Sequence, residues 1–259
     1  MSFYDWVSDT IVEPPAQRSP VNIGWLFSQK SSSVIYFEPE RMRSANITGK
    51  HAKSASRCPA VLSMETRYFV IKCPFDIHLG FERDKSGKPT IINRQGNKSP
   101  VRKNKLNQLI TIVNEEEWRY KDRPTIQIST PYLFISDEPV FMSQIAPFMH
   151  YQATPWPGTI FGGRFPIHAW PRVLMWAFEW HDTSQDLILK RGDPWFYVTF
   201  ETLPADRAII IEEAQLTEEL EDYIEQISGA VNYVNQTFSL FKNAEKRRPE
   251  KLLRFKSED

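Results

Sequence analysis

Apolar runs of β-strand length recur along most of the chain, and they are densest between residues 156 and 201. Residues 172–180 (RVLMWAFEW) are apolar almost without interruption, which predicts a strand covered on both faces. The runs at 187–189 and 195–200 follow polar turns, and their β-branched and aromatic side chains predict two more strands. This stretch is therefore the predicted centre of the fold.

Shorter apolar runs predict most of the remaining strands. Apolar and polar residues alternate over 75–82, which predicts a strand with one exposed face. Residues 126–135 predict a strand pair, and residues 140–149 predict a strand or a short helix. Further strands are predicted at residues 23–27, 34–37, 68–72 and 106–113.

The apolar period changes towards the C-terminus. From Leu216 to Phe241, apolar residues recur at spacings of three and four, which predicts one amphipathic helix of about seven turns. Thr217 is placed to cap the start of this helix, and Pro249 lies beyond its end. The apolar stripe predicts packing over the sheet or its open edge; the alternative is a contact between subunits of a homo-oligomer.

Composition favours strands and ordered loops, because nineteen prolines stand against ten glycines and 41% of the 259 residues are hydrophobic. We predict a mainly β (α+β) protein of jelly-roll-like, twisted antiparallel sheets with the long C-terminal amphipathic helix. The predicted divisions are an N-terminal arm at 1–20, a β-rich main domain at 21–205 and a helical extension at 206–259.

The first residues do not have the pattern of a signal peptide, and no later run is long enough to span a bilayer. We therefore expect a cytoplasmic protein with no membrane partner. Cys58 and Cys73, the only cysteines, are expected to be reduced and buried. Each precedes a proline, as in some haem-regulatory motifs, which is the alternative interpretation.

Charge is balanced overall, with 32 basic and 32 acidic residues, but residues 83–105 contain eight cations and one anion. This segment predicts a hairpin followed by a long loop. It could form a phosphate-binding or nucleic-acid-binding edge, or simply a solvated loop. Because it lacks aromatic residues that stack on bases, no nucleic-acid partner is expected.

The run GTIFGGRFPI at residues 158–167, the apolar strand after it and ILKRGDPWF at 188–196 together resemble the closing strands of the dUTPase-like β-clip fold. The likeness covers residues 125–201 and extends to uncharacterised phage and bacterial proteins with a similar ending. It implies a β-clip fold and a phage or bacterial origin. Phe161 stands where the family has its water-activating aspartate, and Tyr197 where it has a glutamine, so no catalytic residue is carried over.

Two sets of residues are candidates for a site. Tryptophans and charged residues of the central stretch could line a ligand-binding cleft. This candidate set is Trp156, Arg164, Trp170, Trp180, Asp182 and Trp195, with Trp176 on the strand between them. Three histidines in or near the same stretch, His150, His168 and His181, could assemble a zinc site.

Two functions remain open. The first is a non-catalytic ligand-binding or assembly module, with a small molecule in the aromatic cleft or an oligomer interface on the C-terminal helix. The second is an enzyme of nucleotide or small-metabolite chemistry, metal-dependent or not, with a dispersed site. That site would use Arg164, His168, His181 and Asp182. The sequence does not identify a cofactor.

Overall fold

The computed structural model describes residues 18–28, 34–43, 58–150, 155–230 and 237–256. Within these ranges the protein is mainly β. The strands are β1 Val21–Phe27, β2 Glu40–Arg41, β3 Tyr68–Lys72, β4 Ile77–Arg83, β5 Pro89–Asn93, β6 Ile110–Ile112, β7 Thr125–Ser129, β8 Tyr132–Ile135, β9 Val140–Ile145, β10 Gly158–Ile160, β11 Gly163–Pro166, β12 Met175–Trp180, β13 Leu187–Leu189, β14 Pro194–Thr202 and β15 Ile209–Glu213. The helices are α1 Pro59–Met64, α2 Lys103–Leu109, α3 Glu218–Ala230 and α4 Thr237–Arg247.

The described strands form four sheets. A five-stranded sheet has the order β11-β9-β14-β3-β2, and a four-stranded sheet has the order β10-β12-β7-β6. The hairpin sheet is β13-β4-β5, and the mixed sheet is β15-β1-β8. All described pairings are antiparallel except that of β1 with β15. The prediction of a mainly β protein with several antiparallel sheets is therefore confirmed.

Strand β12 is shorter than predicted and is less evenly covered. It begins at Met175 rather than residue 172, because the backbone of Leu174 bonds to Thr130 and Tyr132, where β7 ends and β8 begins. Trp176, Phe178 and Trp180 are each 0% exposed on one face. The opposite face is partly covered, since Met175 and Ala177 are half-buried.

Most other predicted strands are present. The alternating run forms β4, where Ile77 and Leu79 are buried and His78 is half-buried. Residues 126–135 do form two strands, β7 and β8, but these belong to different sheets. Residues 34–37 are not a strand; there Tyr36 packs edge-on against Tyr132, with ring centroids 5.9 Å apart. Residues 106–109 belong to helix α2, so only the end of the predicted strand is extended, as β6.

The single C-terminal helix that we predicted is replaced by α3 and α4. Helix α3 ends just after Gly229, a residue that weakens helices, and residues 231–236 lie outside the described ranges. Thr217 caps α3 as predicted, with its Oγ1 accepting a hydrogen bond from the Leu220 amide at 3.2 Å. Neither described C-terminal helix, nor any other in these ranges, has the length and apolar composition to cross a membrane.

The apolar faces of both C-terminal helices pack on the mixed sheet of their own chain. Leu220, Tyr223 and Ile227 of α3 and Leu240 and Ala244 of α4 are buried in one cluster. The cluster also includes residues of β1 and β8, namely Leu26, Leu133 and Ile135. The buried part of the apolar stripe therefore packs within the chain, as expected for helices that cover the sheet. Of the predicted N-terminal arm, residues 1–17 lie outside the described ranges.

Candidate functional site

The central tryptophans form part of the core. Trp176, Trp180 and Trp195 are 0%, 0% and 1% exposed. Trp156, which is half-buried, meets Trp176 edge-on at 5.8 Å between ring centroids, and Trp195 lies at the same distance from Trp176. These rings therefore contact one another. Trp170 lies apart from them, in the cluster beneath the C-terminal helices, against Phe165 and Phe241.

The two charged members of the ligand-binding set have local partners. Arg164 Nη2 lies 2.8 Å from Glu201 Oε2, and its guanidinium lies over the Phe141 ring. Asp182 Oδ1 accepts hydrogen bonds from the side chain and backbone of Ser184, and Oδ2 accepts one from Gln185. These bonds lower the pKa of Asp182. Arg164 is therefore engaged across the five-stranded sheet, with residues of β9 and β14, whereas Asp182 is engaged within its own turn.

The three candidate histidines have three different surroundings. His150 Nδ1 is hydrogen-bonded to the Tyr197 hydroxyl, and burial lowers its pKa. His168 Nδ1 lies 3.1 Å from the backbone of Val140, at the start of β9. His181 Nε2 lies 3.3 Å from Glu179 Oε1. Within the described ranges, no group of three or more His, Cys, Asp or Glu side chains is arranged to hold a metal ion.

Glu179 is the charged residue that the sequence analysis overlooked. It is 2% exposed on β12. Arg119 approaches its Oε2 at 3.7 Å, and Arg123 and His181 approach its Oε1 at 3.6 and 3.3 Å. The sequence contains a signal, since a lone acid in an apolar strand requires cationic partners when it is buried. His181 thus contacts Glu179, whereas the side chain of Asp182 bonds to Ser184 and Gln185 of its own turn.

The cysteines differ from each other. Cys73 is 0% exposed, and burial raises the pKa of its thiol to about 12, as expected for an inert core thiol. Cys58 is exposed, so the prediction that it is buried is wrong. It occupies the N-cap position of α1, directly before Pro59, and a capping position on a short surface helix remains open to solvent.

A cleft lies elsewhere, between β5 of the hairpin sheet and the α2–β6 segment. Its volume is about 750 Å³. Leu79 and Leu106, both buried, form its apolar floor. Its walls carry the half-buried side chains of Ile91, Ile110 and Ile112. Asparagines at 93, 97 and 107 provide neutral polar groups around it.

Both walls of the cleft are outer strands of their sheets. β5 pairs with β4, and β6 pairs with β7; each is the last described strand of its sheet. The Arg94 amide donates to the backbone carbonyl of His78, and the Asp84 amide donates to the backbone carbonyl of Lys88. Hydrogen-bonding residues alternate along an antiparallel ladder, so Thr90 and Ile92 face β4. The backbone groups of Ile91 and Asn93 therefore point away from β4, along the open edge.

The open edge of β6 follows from the same argument. The Val113 amide donates to Thr125 at 2.9 Å, which makes Thr111 the next residue to bond with β7. The backbone groups of Ile112 and the carbonyl of Ile110 consequently point away from β7. The Ile110 amide is already bonded to Leu106 at the end of α2. The cleft thus runs between two sheet edges whose outward-facing backbone donors and acceptors have no partner strand in the described part of the chain.

Much of the basic segment, residues 83–105, lines or flanks this cleft. The basic segment forms the predicted hairpin, β4–β5, and contributes one wall of the cleft. Arg83 and Arg94 are paired with carboxylates of Glu115, Glu82 and Asp186. Five further cations of the segment have no ion pair with any residue in the described part of the chain. They are Lys85, Lys88, Lys98, Arg102 and Lys105.

Only two ionisable side chains, Asp84 and Lys88, are among the described residues that line the cleft. Asp84 Oδ1 accepts hydrogen bonds from the Ser86 hydroxyl and amide and from the Lys88 amide, and these lower its pKa. The carboxylate is thus engaged in closing the β4–β5 turn. The cleft offers apolar surface, backbone groups and the Lys88 ammonium group to a ligand.

No protein-family model matches this sequence, and comparisons with curated proteins and with solved structures gave no match either. The resemblance to the dUTPase-like β-clip fold stays a prediction. The functional interpretation therefore depends on the geometry of the chain itself, in which the cleft between β5 and β6 is the leading candidate site.

Proposed function

We propose that this protein is a binding module that holds an extended peptide segment as an added strand along β5. The observation that carries this proposal is the open edge of β5, where the backbone groups of Ile91 and Asn93 face an apolar cleft. Strand addition supplies affinity through main-chain hydrogen bonds, while alternate side chains of the peptide enter pockets. Ile110 and Ile112 across the cleft provide the apolar surface for those side chains.

Charge defines the class of peptide. Lys88 in the cleft lining and four cations near the lining in sequence have no ion pair among the described residues, and they favour acidic residues on either side of the apolar positions. Exposed lysines also discourage pairing of the edge with arbitrary strands, a common protection of sheet edges. The ligand that fits both features is an extended peptide with alternating apolar residues and acidic flanks.

The test uses two variants at one position. Asn93→Pro removes the amide that faces the cleft but leaves the β4–β5 ladder bonds in place, because proline is tolerated where the amide of an edge strand faces outward. Asn93→Ala removes the side chain but keeps the amide, and serves as the matched control. The probe is a phage-displayed library of random peptides of about 12 residues, long enough to pass the five-residue strand.

We expect selection on the wild-type protein to enrich acidic peptides with alternating apolar residues. Their affinity should fall at least about tenfold for Asn93→Pro and stay near the wild-type value for Asn93→Ala. Equal binding to all three proteins would exclude the β5 edge. A concentration-dependent dimer that only Asn93→Pro abolishes would assign the edge to a second copy of the chain and overturn the peptide assignment.

A further inference from the structure

A second cavity, of about 490 Å³, lies between the end of α1 and the segment joining β14 to β15. Three arginines line it, Arg41 from β2, Arg67 from the turn before β3 and Arg207 from the segment before β15. The only acidic residue among its described lining residues is Asp206. This cavity is separate from the cleft between β5 and β6 and shares none of its lining residues.

Arg41 is held rigidly by neutral groups. Its Nη1 donates to the carbonyl oxygens of Glu65 and Thr66 at 3.1 and 3.0 Å, and its Nη2 donates to that of Ile209 at 2.8 Å. Its guanidinium also lies over the Phe69 ring, 4.8 Å from the centroid. The group is therefore fixed in position while its charge stays uncompensated by these partners.

Arg67 is held in the same manner. Its Nη1 donates to the Thr202 hydroxyl oxygen at 3.1 Å, and its Nη2 donates to the Ala205 carbonyl. Partial burial lowers the pKa of both Arg41 and Arg67, and the Asp206 carboxylate opposes this effect at Arg67. A guanidinium keeps its proton in proteins in either case. Each arginine has five N–H donors, so both retain donors for a ligand after these bonds are made.

The neighbouring charges cancel in pairs. Arg207 pairs with Glu138, Arg18 lies 3.0 Å from Asp206, and Arg43 lies 3.7 Å from Glu65. Within the described ranges neither Arg41 nor Arg67 forms a salt bridge with a carboxylate. Two positive charges therefore remain at the cavity after the pairs are removed.

We propose that this cavity binds a doubly charged oxyanion of the phosphate class, either inorganic phosphate or the phosphoryl group of a monoester. A planar guanidinium presents parallel N–H donors that match the oxygens of such an anion, and two fixed guanidiniums balance its charge. Arginines already fixed by carbonyl groups lose little side-chain entropy when the anion binds. The cavity is also larger than one phosphate group, which leaves room for an ester substituent.

The experiment measures binding of inorganic phosphate by isothermal titration calorimetry and by thermal melting, with chloride balancing the ionic strength. Arg67→Gln removes one of the two excess charges. Ala205→Asp leaves both arginines in place and adds a carboxylate at an exposed position of the lining. Arg164→Gln is the control. It removes an arginine of β11 that is paired with Glu201 of β14 and lies outside the cavity.

We expect the wild-type protein and Arg164→Gln to bind phosphate equally, and both substitutions in the cavity to weaken binding at least about tenfold. Ala205→Asp keeps the test valid if Arg67→Gln fails to fold. The proposal is overturned if the wild-type protein shows no binding up to about 10 mM phosphate, or if Ala205→Asp binds like the wild-type protein. A phosphomonoester that binds more tightly than phosphate would identify the ester as the better ligand. Acetate that binds as tightly as phosphate would assign the cavity to carboxylates and exclude the phosphate class.

Discussion

At the scale of single residues, aromatic side chains dominate the centre of the core. The rings of Trp176 and Phe178 stack 5.2 Å apart at an interplanar angle of 6°, and both are 0% exposed. The buried indole nitrogens of Trp176 and Trp195 have no hydrogen-bond partner among the described residues. These tryptophans therefore contribute through packing rather than through polar contacts.

Truncation of either stacked ring should be costly. Trp176→Ala and Phe178→Ala should each lower the free energy of unfolding by about 3 to 5 kcal/mol, because each leaves a cavity in the core. Trp176→Phe should cost clearly less, since the ring contact is kept and no hydrogen bond is lost. Urea denaturation measures all three values. Losses below about 1 kcal/mol for both alanine variants would contradict the burial of β12.

His150 should make stability depend on pH. Burial, with a smaller effect of Lys72, holds the pKa of His150 below its ordinary value of 6.5. The unfolded chain therefore binds the proton first as the pH falls, so the stability present above pH 6.5 decreases as the pH drops towards the folded-state pKa. The decrease should be smaller for His150→Gln. Urea denaturation from about pH 7.5 to about pH 5 tests this, and parallel curves for the two proteins would contradict it.

At the scale of elements, some features follow from the sequence of a single segment, and others depend on contacts between distant segments. Strands β4, β13 and β14 could be predicted from sequence, because their side-chain alternation or β-rich composition lies within each strand. Helix α2 could not be predicted in this way, because a short apolar run such as that around Leu106 fits a buried helix as well as a strand. The cleft could not either, because its walls come from β5 and β6, which belong to different sheets.

One buried hydroxyl group, that of Tyr223, connects helix α3 to helix α4 and to the turn that follows β11. Tyr223 Oη lies 2.6 Å from the Ala169 carbonyl and 2.9 Å from the Ala244 carbonyl, and burial raises its pKa to about 12. Tyr223→Phe should cost about 1 to 2 kcal/mol, because a buried carbonyl then loses its donor. Tyr120→Phe, at a tyrosine that is 49% exposed, should stay within about 0.5 kcal/mol of the wild-type protein. Equal effects in chemical denaturation would contradict this role of Tyr223.

At the scale of the whole molecule, charge is balanced while its distribution is uneven. The formal net charge is zero, yet residues 83–105 are strongly basic and residues 212–225 contain seven acids and no cation. A balanced total provides no general attraction for polyanions. Excess positive charge is therefore a local feature, found in the basic segment beside the cleft and at the cavity lined by Arg41 and Arg67.

We predict no binding to mixed-sequence DNA or RNA tighter than about the micromolar range at physiological salt, because aromatic platforms for bases are missing from the basic segment. Fluorescence anisotropy with labelled oligonucleotides measures this. A tighter affinity that is lost when Lys98, Arg102, Lys103 and Lys105 are changed to alanine, and that falls steeply with salt, would place the protein among nucleic-acid-binding proteins.

The pairing of β1 with β15 has a consequence for synthesis. β1 is the middle strand of the mixed sheet, and Val21 lies opposite Ile209. A ribosome releases β15 long after β1, so β1 waits with one edge and its apolar residues unpaired. Ile23, which is 0% exposed in the folded protein, remains accessible to other chains during that interval. Translation that stops before β15 should therefore yield fragments that aggregate, and this tendency should decrease once β15 has emerged and paired with β1.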